Sequence, residues 1–447
     1  MRAMKNSGVE WIGEIPVGWS LMRLKSLFNF GKGLAITKEN LIENGTPVIS
    51  YGQIHSKENT GTGLCDSLFR FVDTRFLTTS PQSLVKKGDF IIADTSEDLD
   101  GCGNCVYVDD DTVLFAGYHT IILKTKYSKN NKYLSYLFKS DNWRSQIRSR
   151  VSGVKLFSIS QKILNTVTCV FPSQEEQASI SILLDTKCAE IDKVVEQTRA
   201  TIEEYKKLKQ AIITEAVTKG VRGPRPMKPS GVEWIGDIPE EWVVLKTLWL
   251  LEMPITDGPH ETPTLYDEGI PFISAEAVSC GRGRIDFSHK RGYISKEYYD
   301  ECCKKYTPRL HDIYMIKSGA TTGRVSMVDT EEVFTIWSPL AVLRANQEKM
   351  LPRFLFYSLQ ADYYQKQISL SWSFGTQQNI GMRVLEQLKI ATPDADEQQE
   401  IAAYLDTKCA EIDRIIGKKE QFIEELGSYK KSLIYEYVTG KKQVLYK

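Results

Sequence analysis

The sequence predicts an α+β protein written twice, with two globular domains separated by two long helices. Three observations carry this. The eight letters "DTKCAEID" stand at Asp185–Asp192 and again at Asp406–Asp413. "MKNSGVEWIGEIPVGW" (Met4–Trp19) and "MKPSGVEWIGDIPEEW" (Met227–Trp242) agree at 12 of 16 letters. Between these markers short β-like runs precede helical ones without βαβ alternation, the pattern of an α+β domain. Fixed-period self-similarity defines architecture before local structure does. It divides the chain into a first domain (1–173), a central helix (174–222), a second domain (223–393) and a C-terminal helix (394–447).

Each element has a local cause. In the first domain "TPVISYGQI", "DFIIADTS", "CVYVDD" and "HTIILKT" are apolar, β-branched runs bounded by turn residues, and they read as strands. "IPFISAEAV", "DIYMIKSG", "RVSMVDT" and "LAVLRAN" hold the matching places in the second. A helical stretch follows each set: "NKYLSYLFKSDNWRSQI" and "LPRFLFYSLQADYYQKQI". The central helix starts after Pro172 with Glu175 and Glu176, where a helix dipole favours negative charge. Its apolar seam runs Leu184, Cys188, Ile191, Val195 and Ile202, in steps of the coiled-coil heptad. The C-terminal helix repeats that seam at Leu405, Cys409, Ile412, Ile416 and Ile423. Polar Lys209, Lys419 and Lys430 fall on the seam and are expected to weaken it locally. The first helix stops in "TKGVRGPRPMKPSG", where Gly and Pro forbid continuation. A helix of roughly 45 residues is about 65–70 Å long. With one apolar stripe it must bury that stripe, and the available partner is its own repeat.

Composition excludes more than it assigns. The 447 residues carry 57 basic and 57 acidic side chains, so the chain is not a uniformly basic nucleic-acid binder. Residues 1–173 hold 21 Lys and Arg against 16 Asp and Glu, an excess of 5, so any DNA contact must come from local patches. No window approaches eighteen apolar residues and the start lacks a signal-peptide core, so a cytoplasmic protein is expected. Nine cysteines at scattered spacings form no disulfide framework, and Cys102 and Cys105 lack a second ligand pair, so no metal is expected. Phosphate-loop, dinucleotide-binding, methyltransferase (Asn/Asp-Pro-Pro-aromatic), H-E-x-x-H and G-x-S-x-G motifs are absent. The five histidines are not matched between the copies, and catalysis is not expected. The carboxylates of "ADTSEDLDG" (Ala93–Gly101) could bind a cation, and with His119 they define a nuclease reading at Asp94, Glu97 and Asp98. The counterpart "IKSGATTGR" has no carboxylate, which favours a polar loop.

Three places in each domain combine hydrogen-bonding side chains with turns. In the first they hold Tyr51, Gln53, His55 and Lys57; Thr95 and Ser96; and Arg144, Arg148, Arg150 and Lys155. In the second they hold Ser274 and Glu276; Ser318, Thr321, Thr322 and Arg324; and Thr376, Gln377, Gln378 and Asn379. Gln, Asn and Arg suit base edges, and spaced Arg and Lys suit phosphates. Recurrence of the set in both copies favours DNA recognition over ordinary solvated surface. Trp143 and Trp372 read as core anchors.

With these features the chain resembles the specificity (S) subunit of type I restriction–modification systems over essentially its whole length. The carriers are the duplicated order, "SGVEWIGEIP" and "SGVEWIGDIP", and the helix starts "EEQ…LDTKCAEID" and "DEQQEIAAYLDTKCAEID". "SGATTGRVSMV", "AGYHTIILK" and "FGTQQNI" are similar to pieces of the family's target-recognition domains. The resemblance implies that each such domain reads one half of a bipartite target on double-stranded DNA. It implies that the two helices pack antiparallel, set the gap and dock two methyltransferase (M) subunits. It implies no cofactor on this chain: S-adenosylmethionine belongs to the methyltransferase, and ATP with Mg²⁺ to a restriction/translocase (R) subunit. The first domain lacks the "SGATTG" and "GTQQNI" strings, so the two half-sites are expected to differ. A coiled-coil scaffold with protein-binding heads is the competing reading, and it expects DNA binding without sequence preference or strong salt dependence.

Overall fold

The computed structural model describes residues 2–126, 131–153, 155–371 and 379–444. Six helices organise it: α1 (Lys132–Lys139), α2 (Asp141–Arg148), α3 (Gln174–Lys219), α4 (Pro352–Gln360), α5 (Asp362–Leu370) and α6 (Ala395–Val438). The chain forms two compact units, Met1–Thr198 with Gln421–Lys447 and Arg199–Glu420. Each unit thus takes one part of α3 and one part of α6.

In the first unit an antiparallel sheet runs Cys105–Tyr107, Phe90–Ala93, Thr120–Thr125 and Phe28–Lys32. A second sheet contains one parallel pair, Thr46–Ile49 with Leu114–Ala116. The apolar run Phe90–Ala93 is buried throughout, as a strand covered on both faces must be. The second unit repeats the plan. Its antiparallel sheet runs Thr256–Asp257, Leu340–Leu343, Ile313–Ile316 and Val325–Met327, and Ile270–Ile273 pairs in parallel with Thr335–Ile336. All eight runs expected as strands contain one.

The structure divides each expected helical stretch in two. Ser140 takes an extended backbone between α1 and α2 and its hydroxyl accepts from Trp143 N, so it caps the second helix. Ala361 marks the same break between α4 and α5, without a capping side chain. The turn folds Trp143 onto Phe138, with ring centroids 4.1 Å apart, and Trp143 is buried as expected. Trp372 lies outside the described residues.

The repeated "SGVEWIG" motifs build hairpins that deliver a tryptophan to the first turn of a long helix. Gly13 and Gly236, at φ +69° and +72°, take the left-handed conformation that a β-carbon disfavours. Trp19 then donates its indole N–H to Glu176 at 2.9 Å, and Arg2 forks the same carboxylate while lying over the indole. In the second unit Trp242 donates to Glu397 at 2.9 Å, and Arg225 forks it from above the ring. The same clamp is therefore built twice.

The octapeptide explains itself in the same way. In the first unit Tyr136 donates to Asp185 at 2.6 Å and Lys132 stands 3.2 Å away. In the second Tyr357 donates to Asp406 at 2.7 Å, with Arg353 at 2.5 Å. Burial pushes both tyrosine hydroxyls up, and the adjacent carboxylate adds to it, so each remains a donor. The last Asp reaches the other long helix: Asp192 accepts from Lys430 at 2.5 Å, and Asp413 from Lys209 at 2.6 Å. Lys209 and Lys430 are thus paired positions. Lys419 sits over the Tyr205 ring at 5.9 Å. Within the second unit, Tyr205 beside Lys419 and Lys209 beside Asp413 fix an antiparallel course for the two helix segments. Leu184, Cys188 and Ile191 pack with Leu433, Ile434 and Tyr437, and Leu405 and Cys409 with Ile213, Ala216 and Val217. Ile202, Ile412 and Ile416 are also buried, while Val195 and Ile423 are half-buried. Burial raises the thiols of Cys188 and Cys409, consistent with packing residues.

Glu397 is fully buried between Arg225 and Trp242, whereas Glu176 keeps 18% of its side chain exposed. Removing one partner of a buried ion pair costs about 3–5 kcal/mol. Glu397→Ala should lower the urea midpoint of the full chain markedly, and Glu176→Ala less; equal shifts would show that burial does not set the cost.

Candidate nucleic-acid interface

Three segments meet at one end of the sheets in the first unit. The turn Tyr51–Ile54 follows the strand Thr46–Ile49, and His55 Nε2 lies 2.9 Å from Thr95 O. Thr95 and Ser96 form a short strand with Phe157 and Ser158, and Ile159 N donates to Asp94 O at 2.7 Å. The tight turn Gly117–Thr120 completes the group. His119, at φ +54°, places its ring 5.5 Å from Tyr51 and its Nδ1 3.3 Å from Asp94. Tyr51 and Tyr118 stand edge to face at 5.6 Å. The result is an aromatic and imidazole cluster with exposed edges.

The expected residues divide by their surroundings. Tyr51 and His55 belong to this end, where Asn104, which was not among the expected residues, places Nδ2 3.2 Å from His55 Nδ1. Gln53 turns back on Ser50 N at 3.2 Å. Thr95 and Ser96 are buried, and their hydroxyls go to Asp94 and to Asp98 O, each at 2.7 Å. Strand pairing turns them inward, so they shape the loop instead of offering a free hydroxyl. Arg144 donates to Phe138 O at 3.0 Å, and Arg148 bonds Asp141 at 3.2 Å and Asp100 O at 2.9 Å. Both stand on α2, beside the loop. Arg150 returns to Gln146 O, while Lys57 and Lys155 are exposed. Tyr118 of "AGYHT", which was not among the expected residues, joins the cluster through its ring contacts with Tyr51 and His119.

The second unit brings the same segments together with other side chains. Ile380 N donates to Lys317 O at 2.9 Å, as Ile159 does to Asp94. Asn379 pairs across from Ser318 in an isolated bridge. Thr322 donates to Gly319 O at 2.7 Å within the Ser318–Gly323 turn, where Gly319 has φ +97°. Thr321 is half-buried and Glu276 exposed, while Ser274 is buried beneath its helix. Arg324 is exposed and turned toward Ser279, away from the loop tip. Thr376, Gln377 and Gln378 lie outside the described residues.

A charged cluster that no local sequence pattern marks completes this end. Asp257, 1% exposed, accepts from Lys305 and Lys317 at 2.5 Å each, and His260 Nε2 lies 3.1 Å away. Burial works against the Asp257 charge, but the two lysines outweigh it and hold its carboxyl below the ordinary value of 3.8. Nearby in the fold, Arg291 stacks 3.8 Å over Trp337, whose turn contributes Ser338 N to Pro259 O. Among the described residues no group of three or more His, Cys, Asp or Glu could hold a metal ion. No helix among them is long and apolar enough to cross a membrane.

Two α+β units that each gather polar loops at one end of a sheet define a duplicated binding protein. The chain matches the family described as type I restriction modification DNA specificity domain over residues 16–204 and 260–425. It is similar to the type I restriction enzyme MjaVIII specificity subunit of Methanocaldococcus jannaschii, 23% identical over 441 residues, covering 96% of this chain and 94% of that protein. A solved chain from work on complex assembly and conformational transition of the type I R-M system superposes with a TM-score of 0.68 at 17% identity, covering 96% of this chain and 99% of that one. The chain belongs to the type I restriction–modification DNA specificity family. Its activity is sequence-specific DNA recognition, and it is a recognition subunit, not an enzyme.

A depressed folded-state pKa stabilises above the unfolded value and loses that stability as pH falls through the folded one. The Asp257 pairs should therefore contribute fully at neutral pH and fade below about pH 4. Asp257→Asn should flatten that acid-range loss in thermal melts; an unchanged pH profile would show that the lysines do not hold the charge.

Proposed function

We propose that each head reads one half of an asymmetric, gapped DNA target, with the loop end of each unit as its reading surface. The observation that carries this is one backbone arrangement, Ile159 on Asp94 and Ile380 on Lys317, supporting different chemistry in the two units. Tyr51, His55, Tyr118 and His119 present rings and imidazoles in one. Ser318, Thr321, Asn379 and the Arg291–Trp337 stack present hydroxyls, an amide and a guanidinium in the other. Such groups discriminate base edges, while exposed cations such as Lys57 and Lys155 suit phosphates.

In this reading α3 and α6 set the gap and offer equivalent docking surfaces to two methyltransferase subunits. The duplicated exposed pairs Lys187–Glu190 (2.8 Å) and Lys408–Glu411 (3.1 Å) support that role. Restriction/translocase subunits join through the assembled complex. This chain carries no cofactor; S-adenosylmethionine belongs to the methyltransferase, and ATP with Mg²⁺ to the motor.

Replacing residues 1–173 with the first domain of another family member should change one half-site in sequences enriched from a random duplex pool. Altered bases in both halves would refute independent heads. Inserting one helical heptad near Ala200 should change the gap and leave both half-sites as they were; a changed half-site would argue against the spacer role.

A further inference from the structure

Within the first unit, a cleft of about 630 Å³ opens between α2, the loop that contains Asn104, and the last turns of α6. Five cations line it among the described residues: Lys139, Arg144, Arg148, Lys430 and Lys431. Only two carboxylates, Asp100 and Asp141, face them there, and their side chains are 97% and 58% exposed. Lys430 is further held by Asp192. The buried Nε of Arg148 has no hydrogen-bond partner among the described residues. Burial, with Lys430 and Arg144 nearby, brings the Lys139 ammonium down to about 8. The fold therefore gathers like charges in a concavity and leaves them short of counter-charge.

The matching cleft of the second unit, about 610 Å³, is balanced differently. Its cations are Lys206, Lys209, Arg282 and Arg324, against Asp362, Asp413 and Glu420. Three of its cations are paired, Lys206 with Glu203, Lys209 with Asp413 and Arg282 with Glu420. Where the first unit has Lys139 and Arg144, the second has Gln360 and Gln365. The backbone role is kept: Arg144 Nε donates to Phe138 O, and Gln365 Nε2 to Leu359 O at 2.6 Å. The extra charge is thus an addition to a shared frame, and local folding does not require it.

We infer that the first unit's cleft grips the phosphate backbone of the DNA flanking that unit's half-site, with Lys431 of α6 contributing directly. Its wall is continuous with the reading loops: Asn104 touches His55, and Arg148 holds the Asp100 carbonyl. Forked guanidiniums beside point-charge ammoniums suit successive phosphates. The assignment to DNA, as opposed to another polyanion, rests on the recognition reading above.

The test is the salt dependence of duplex binding by the full chain in complex with its methyltransferase. Removing one phosphate-binding cation lowers the slope of log K against log salt by about 0.9. Lys139→Gln with Arg144→Gln installs the second unit's own residues, and Lys431→Gln alters an exposed position, so folding is preserved. The triple variant should reduce the slope by about 2–3 and bind target and non-target duplexes more weakly by the same factor, with the enriched motif unchanged. An unchanged slope in a variant of unchanged melting temperature would overturn the inference. Failure of methyltransferase assembly with an unchanged slope would overturn it too, assigning the cleft to an acidic protein segment. A wild-type complex without sequence preference would instead sink the recognition reading, while the slope would still report on the cleft.

Discussion

The two carboxylates that bracket "DTKCAEID" hold the architecture together. Seven residues, two helical turns, separate Asp185 from Asp192, so both project from one side of α3. The first binds Tyr136 of the head, and the second binds Lys430 of the other long helix. Cys188 and Ile191 fill the space between them. Both carboxylates are about half exposed, so solvent screening holds the Lys430 pair to about 0–1 kcal/mol and the contacts act chiefly by fixing register. Because Asp406 and Asp413 repeat both contacts, head and helices meet in the same way twice.

That frame frees the loops to differ. The Trp–Glu–Arg clamps and the Tyr–Asp bonds lie at the helix side of each unit, and the reading segments lie at the ends of the strands. Asp94 and Lys317 occupy the same backbone position with opposite charge, and the backbone bonds around them are unchanged. The proposed reading of two different half-sites needs this separation. Stability is supplied by repeated contacts, and specificity by side chains that those contacts do not use.

Much of the frame was legible in the sequence because it is periodic or repeated. The heptad seam located Leu184, Cys188, Leu405 and Cys409, and the strand runs located the sheets. Short strands such as Leu41–Ile42 and Leu84–Val85 escaped because two residues carry no alternation. The Tyr136–Asp185 bond spans 49 residues, yet the same spacing recurs at Tyr357–Asp406 and was there to be found. The site was harder. Thr95 and Ser96 look like loop hydroxyls, but pairing with Phe157 and Ser158 buries them. Asp257, Lys305 and Lys317 are far apart in sequence and acquire meaning only when the fold joins them.

Two heads of one chain that read two halves of one target leave their mark in modified DNA. The most direct measurement is a map of methylated adenines in DNA from cells expressing this chain with its methyltransferase. The expected result is one asymmetric motif with a fixed, unread gap between two short specified halves. A continuous motif, or a symmetric one read identically by both heads, would contradict it.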